Sequence, residues 1–298
     1  MTNPAAPGVA AQRTSVRLPR KLRKLLRHPL FWVGGAMLLA LLLFTFLGPV
    51  FDPPDGNKYD MAIQLLPPSF SHLLGTNVLG QDELAQLMVA GQRPIISGFI
   101  SAIVAALIGI FVGLVAGYSG SIVDSVLMRI TDIFLSVPQV VPILLIESLL
   151  GANTRSFITV VALTLWPATA RIVRGRTLVV RQQPFVEAVL ASGASHVRVL
   201  LRHVLPNVLD DIVVAFTNQF ANVVLVMAIT TFVGLGLPPP WNWASMFAGN
   251  IDNIVGGQWW VVYPPGFAFS ILLVSVYFLG EAVRHALNPQ DAQGGQGS

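Results

Sequence analysis

An all-α integral membrane fold with about six spanning helices is predicted by three features of this 298-residue chain. Charged residues make up only 11% of it and hydrophobic ones 54%, against roughly 25% charged in soluble domains. Uncharged runs recur near the ~20 residues needed to cross ~30 Å of hydrocarbon at ~1.5 Å per residue. Lysine and arginine fall on alternate connections between those runs, the bias that orients membrane proteins.

Residues 1–29 form a basic arm with Arg13, Arg17, Arg20, Lys21, Arg23, Lys24 and Arg27. The apolar run 30–50 follows, and the sequence after it, GPVFDPPDG, lacks the small-residue cleavage pattern of a signal peptide. It reads as a retained anchor. The polar stretch 51–93 is an external loop whose short amphipathic helix covers residues 82–92. Residues 94–117 carry no charge, and Gly98, Gly109, Gly113 and Gly117 allow close helix packing in lipid.

The third span, about 130–150, contains Pro138 and Pro142, which predict a kink. The fourth, about 156–173, ends at Arg171 and Arg174, whose long side chains reach the interface. Runs at 212–233 and 261–280 supply spans five and six, joined by the external loop 234–260. These last five spans make a core over 94–283, and 284–298 is a polar tail.

With both termini inside, fifteen of the eighteen basic residues are cytoplasmic. Only Lys58, Arg93 and Arg155 fall outside. This asymmetry accounts for the net charge of +4 without nucleic acid. The chain has no cysteine, so disulfides, thiolate metal sites and cysteine nucleophiles are excluded. The five histidines are scattered without ligand spacing, and no metal site is expected.

The longest internal hydrophilic segment holds a hairpin over 181–207. Pro184 starts a short helix, Gly193 closes it with positive φ, and Ser195 caps the next. From residue 196 onward Val197, Leu200, Leu201 and Val204 recur at helical spacing. Small residues at the turn, Ala188, Ala191, Gly193 and Ala194, suit insertion into a groove on another protein. The competing reading is an amphipathic helix lying on lipid headgroups.

The string EAVLASG from Glu187, followed after nine residues by HVLP, resembles the coupling-loop motif of importer permeases in the ATP-binding cassette superfamily. Glu187, Ala188, Gly193, Leu205 and Pro206 match that motif, while Val189 replaces its second alanine. The resemblance runs from the basic arm to Pro289 and is closest to the dipeptide and oligopeptide subgroup. LLGTNVLGQDELAQLMVAGQR at 73–93, MRITD at 128–132, FVGLGLPPPWNWASM at 232–246 and LGEAVRHALNP at 279–289 are also similar to its members.

Such a resemblance implies a six-helix importer permease fold with cytoplasmic coupling helices, in the cytoplasmic (inner) membrane. It implies a second permease subunit, two cytoplasmic ATPase subunits or domains, an external solute-binding protein and a peptide substrate. Glu187, Ala188, Gly193 and Ala194 would shape the ATPase contact, with Arg198, Arg202, Leu205 and Pro206 in the arm that seats it. ATP and magnesium would bind on those partners, because no Gly-Lys dipeptide and hence no phosphate-binding loop occurs here. This chain itself is expected to hold no cofactor and to catalyse nothing.

Polar residues inside spans are candidates for the translocation path. Asn218 and Asn222 lie one turn apart in span five, with Gln219 between them. Interhelical hydrogen bonding is the competing role. Glu147, near the outer end of span three, is either an interfacial charge or a contact for a substrate amino group. In the loop 234–260, Pro239, Trp241 and Trp243 are candidate contacts for the binding protein, and an aromatic interface belt is the alternative. Asp210 and Asp211 are read as complementing a helix N-terminal dipole. A nonpeptide importer such as one for nickel, a self-contained channel and an intramembrane enzyme are the other functional classes.

Overall fold

The computed structural model describes residues 20–52, 59–151, 153–235 and 242–287, and they are mostly helical, with an irregular segment over 59–82. Residues 1–19 of the arm, Lys58, Pro239, Trp241 and the tail from residue 288 lie outside them. The short helix α1 (Arg20–Arg27) meets α2 (Pro29–Phe51) at His28. After an extended segment come α3 (Glu83–Ala90), α4 (Gln92–Ser119), α5 (Ser121–Ser136), α6 (Val140–Leu150) and α7 (Thr154–Arg181). The hairpin helices α8 (Pro184–Ala191) and α9 (His196–Val199) lead through a π-helical turn into α10 (Leu205–Phe232); α11 (Trp243–Asn250) and α12 (Tyr263–Leu287) complete the chain.

Among the described residues, five helical stretches are long and apolar enough to cross a membrane, and a sixth exists if α5 and α6 are counted together. Those two meet at 81°, a break far sharper than a kink. Pro138 lies in the break, whereas Pro142 sits in the first turn of α6, where a missing N–H costs little. Helices also run past the apolar stretches that announce them. α7 continues to Arg181, and the helix beginning at His196 carries on to Phe232.

Glycine sets the central seam. A Cβ on Gly109, Gly113 or Gly117 would lie 2.6–2.8 Å from backbone carbonyls or β-carbons of α7, so only glycine lets α4 and α7 approach this closely. Gly98 is different: its nearest neighbour would be a Phe220 ring carbon of α10 at 3.6 Å, an ordinary contact. Below the seam, Phe157, Val160, Leu165, Val223 and Met227 are buried together. α2 packs on α12, where Gly34 faces the Ser275 carbonyl and Phe278.

One end of the bundle is basic and charge-paired. Arg174 makes a bidentate bond to Asp124 at 2.5 and 2.6 Å, linking α7 to α5. Arg171 pairs with Asp132 at 2.7 Å, Arg176 with Asp211 at 3.0 Å, and Lys21 with Asp210. Asp210 and Asp211 therefore neutralise basic side chains of α1 and α7. They do not sit at a helix N-terminus, because the helix they occupy begins at His196.

At the other end, Asp82 caps α3 through the Ala85 N–H at 3.0 Å. Trp243 is 0% exposed, and its indole N–H donates to the Leu87 carbonyl at 2.8 Å. Its ring lies so close to Gly91 that a Cβ there would be 2.2 Å away. The expectation that Trp243 faces a binding protein is thus corrected: it ties α11 to α3. Replacing Trp243 with phenylalanine is expected to cost about 1–2 kcal/mol through the stranded carbonyl, measurable as a lower unfolding midpoint in detergent. Trp260, also buried, donates to the Thr76 carbonyl at 3.3 Å, whereas Trp259 is half exposed as a belt residue would be.

Candidate functional site

The hairpin grows out of the basic end of α7. Pro184 lies in the first turn of α8, where its absent N–H and fixed φ are favourable. α8 ends in a Schellman arrangement: the Gly193 N–H donates to the Leu190 carbonyl at 3.0 Å and the Ala194 N–H to that of Val189 at 3.4 Å. Gly193 adopts φ +85° to close it, as its sequence position predicts. Ser195 takes the cap position of the next helix, but its side chain makes no capping bond, so the sequence-based role for its hydroxyl does not hold.

The return arm contains a structural detail that helical spacing alone misses. Val199, Val204 and Val208 are all fully buried, five and then four residues apart. A π turn over Leu200–Val204 inserts the extra residue that keeps these valines on one face. It also precedes Pro206, whose missing N–H and bulky ring a regular α-helix would not accommodate. The expected apolar stripe is accordingly shifted. Val204 is buried and Leu200 half-buried, but Val197 and Leu201 are 67% and 55% exposed.

Val186, Val199, Val204 and Val208 pack with Val173 and Val180 of α7 and Leu114 of α4. Burying a valine is worth about 1.5–3 kcal/mol, so this cluster fixes the hairpin to the spans. Tyr118 at the end of α4 adds a hydrogen bond of 3.0 Å to Nδ1 of His196, and the Arg181 guanidinium lies over the Tyr118 ring at 5.7 Å. The hairpin is thereby packed directly on α4, α7 and α10 and not tethered by a loop alone.

The opposite side of the hairpin is open. Glu187, Ala188, Gly193, Arg198, Arg202 and Pro206 are exposed, and Ala194 and Leu205 are half-buried against the anchoring cluster. The structure therefore brings the predicted docking residues to one connected element, with six of the eight outward. Sequence reading missed Phe185 as an outward apolar side chain, 40% exposed beside Glu187. Its place at the first turn of α8, opposite buried Val186, was the available signal.

The span candidates separate. Asn218 is exposed on α10. Asn222 donates its amide to Oε1 of Gln139 at 3.0 Å, bracing α10 against the break between α5 and α6. Gln219 is buried and accepts from the Thr169 hydroxyl at 3.4 Å. Glu147 is 1% exposed, on the face of α6 that carries buried Ile143, and neither carboxyl oxygen has a hydrogen-bond partner among the described residues. It is enclosed against α7, not an interfacial charge as its position near the span end suggested. Asn222→Leu is expected to lose about 0.6–1.7 kcal/mol of helix-helix stabilisation, whereas Asn218→Leu leaves the unfolding midpoint unchanged; thermal unfolding of the two variants in detergent separates bracing from an exposed side chain.

The fold and this element define a polytopic helical membrane protein with an exposed hairpin firmly anchored to three of its spanning helices. Residues 109–290 match the family model for the binding-protein-dependent transport system inner membrane component. Residues 20–68 match that for the N-terminal TM domain of oligopeptide transport permease C. The chain belongs to the family of binding-protein-dependent transport system inner membrane components.

It is 30% identical to the dipeptide transport system permease protein of Bacillus subtilis, over 90% of this chain and 84% of that one. It is also 30% identical to a probable D,D-dipeptide transport system permease protein of Escherichia coli, over 88% of each. Among solved structures, the inward-facing MetNI methionine ABC transporter matches with a TM-score of 0.55 at 22% identity, covering 68% of this chain and 96% of that one. The shared fold is that of an importer permease.

Proposed function

We propose that this chain forms half of the translocation pathway of a peptide importer driven by ATP hydrolysis on separate subunits. The observation that carries the reading is the hairpin: Glu187, Ala188 and Gly193 face outward while the valines behind them are locked into α7 and α10. An exposed element so coupled to spanning helices suits a partner that pushes on it, and a passive channel has no use for one. The peptide substrate is supported by the relatives named above, whose descriptions specify dipeptides.

In this account the basic end, with the hairpin and its ion pairs, faces the cytoplasm, following the distribution of lysine and arginine. Two ATPase subunits dock there and hold the ATP and magnesium, and a second permease subunit completes the pathway. A solute-binding protein delivers peptide to the opposite end, where α3, α11 and the segment around Trp259 lie. Asn218 lines the path, and the partly buried Asn222 and the buried Gln219 and Glu147 shape the helices behind it.

Uptake of a labelled dipeptide by cells carrying or lacking this chain tests the proposal. Import that disappears with the chain and returns with a plasmid copy is the expected result. Undiminished peptide uptake in the deletion, with loss of a different solute, would refute the peptide assignment.

A further inference from the structure

At the basic end, α1 lies against α2 and the last turns of α12. It is strongly amphipathic: Leu25 and Leu26 are half-buried, and Lys21, Arg23, Lys24 and Arg27 are exposed. Trp32, 61% exposed, donates its indole N–H to the Leu26 carbonyl at 2.8 Å. A tryptophan in this setting marks the headgroup level of a bilayer, and a basic amphipathic helix beside it lies in the interface plane.

Between α1 and α12 is a cleft of about 310 Å³ lined by Lys24, Arg27, His28, Pro29, His285 and Ala286. The His28 and His285 rings stack there at 5.1 Å. The acids close to these helices are already committed: Glu281 bonds Arg284 at 2.6 Å and His285 at 3.0 Å, and Asp210 is paired with Lys21. Lys24 and Arg27 have no ion pair or hydrogen bond among the described residues, and His28 Nδ1 is buried without a partner. Two cations without a partner among the described residues thus line a cleft at headgroup level, with the His28 ring beside them.

We propose that this cleft binds the phosphate of an anionic phospholipid headgroup, with Lys24 and Arg27 as the charged contacts and the His28 ring as a further polar one. Arginine and lysine clusters beside spanning helices have this chemistry, forming charge-assisted hydrogen bonds to phosphate oxygens. The bound lipid would clamp α1 onto α12 and so hold the first anchor helix against the core.

The purified protein in neutral detergent, titrated with phosphatidylglycerol, phosphatidylcholine or inorganic phosphate, tests this, with native mass spectrometry to count retained lipid. Phosphatidylglycerol is expected to be retained and to raise the unfolding midpoint by about 3 °C or more, while phosphatidylcholine and inorganic phosphate do neither. Lys24→Gln with Arg27→Gln should weaken phosphatidylglycerol retention roughly tenfold or more. Lys24→Arg with Arg27→Lys should preserve it, as should Arg155→Gln, an exposed cation near the start of α7. Unchanged retention in the glutamine pair, an equal loss in Arg155→Gln, or loss in the charge-preserving pair would overturn the site. A matching shift with inorganic phosphate would overturn the lipid assignment in favour of a free anion.

Discussion

Peptide uptake is expected to fall at least about tenfold when Gly193 is replaced by valine, with the chain still inserted and helical. Gly193 holds φ +85°, where a residue with a Cβ pays about 1–2 kcal/mol and a β-branched one more. A Cβ there would meet nothing within 4 Å, so the penalty falls on the backbone and not on packing. The strained turn relaxes by abandoning the bonds from Gly193 and Ala194 to Leu190 and Val189, and α8 then swings Glu187 and Ala188 out of register. A free-energy cost of about 1.4 kcal/mol on the docked geometry is tenfold. Asparagine, which tolerates this conformation, should restore most of the transport. Initial uptake rates at matched membrane levels read the difference; a valine variant that imports normally, or an asparagine variant as poor as valine, would contradict the role given to this turn.

Gly113→Val is expected to destabilise the bundle by about 3 kcal/mol or more, through overpacking. Its Cβ would stand 2.6 Å from the Ala170 carbonyl oxygen, 2.8 Å from Val173 Cβ and 3.0 Å from the Arg174 nitrogen. Two of these are backbone atoms and none is the end of a flexible side chain, so α4 and α7 must separate to admit the new group. Gly98→Ala is the matched control, since its nearest contacts begin at 3.6 Å; it should be close to neutral. Thermal unfolding of the detergent-solubilised variants, followed by size-exclusion recovery, distinguishes them. Similar midpoints for Gly113→Val and Gly98→Ala would mean that the seam is not closed by glycine.

How much of this was legible in the sequence depends on what each feature answers to. Apolar runs were legible, because hydrocarbon accepts little else, and each of them overlaps a long helix or, for 130–150, the bent pair α5 and α6. The outer limits of α7 and α10 were not: beyond the membrane a helix is held by tertiary packing, and Val180, Val199 and Val204 are recognised only once the hairpin folds back on them. The 81° break was legible as proline but not as an angle. The Gly193 turn was readable because positive φ selects a residue type. Trp243 was misplaced, and the enclosure of Glu147 went unread, because burial of one aromatic or one carboxyl depends on which distant helix covers it. Asp210 and Asp211 found partners 189 and 35 residues away, on α1 and α7 respectively, which no local pattern announces.

The central claim is that the outward face of the hairpin receives the ATPase. Because the chain has no cysteine of its own, single cysteines at Ala188 and, as a control, at Ala244 of α11 give unambiguous cross-linking from an assembled complex in native membranes. The account predicts a cross-linked ATPase subunit from position 188, diminished when Gly193 is also valine, and none from position 244. An Ala188 cysteine that captures no ATPase in a complex active for ATP-driven peptide uptake would contradict it.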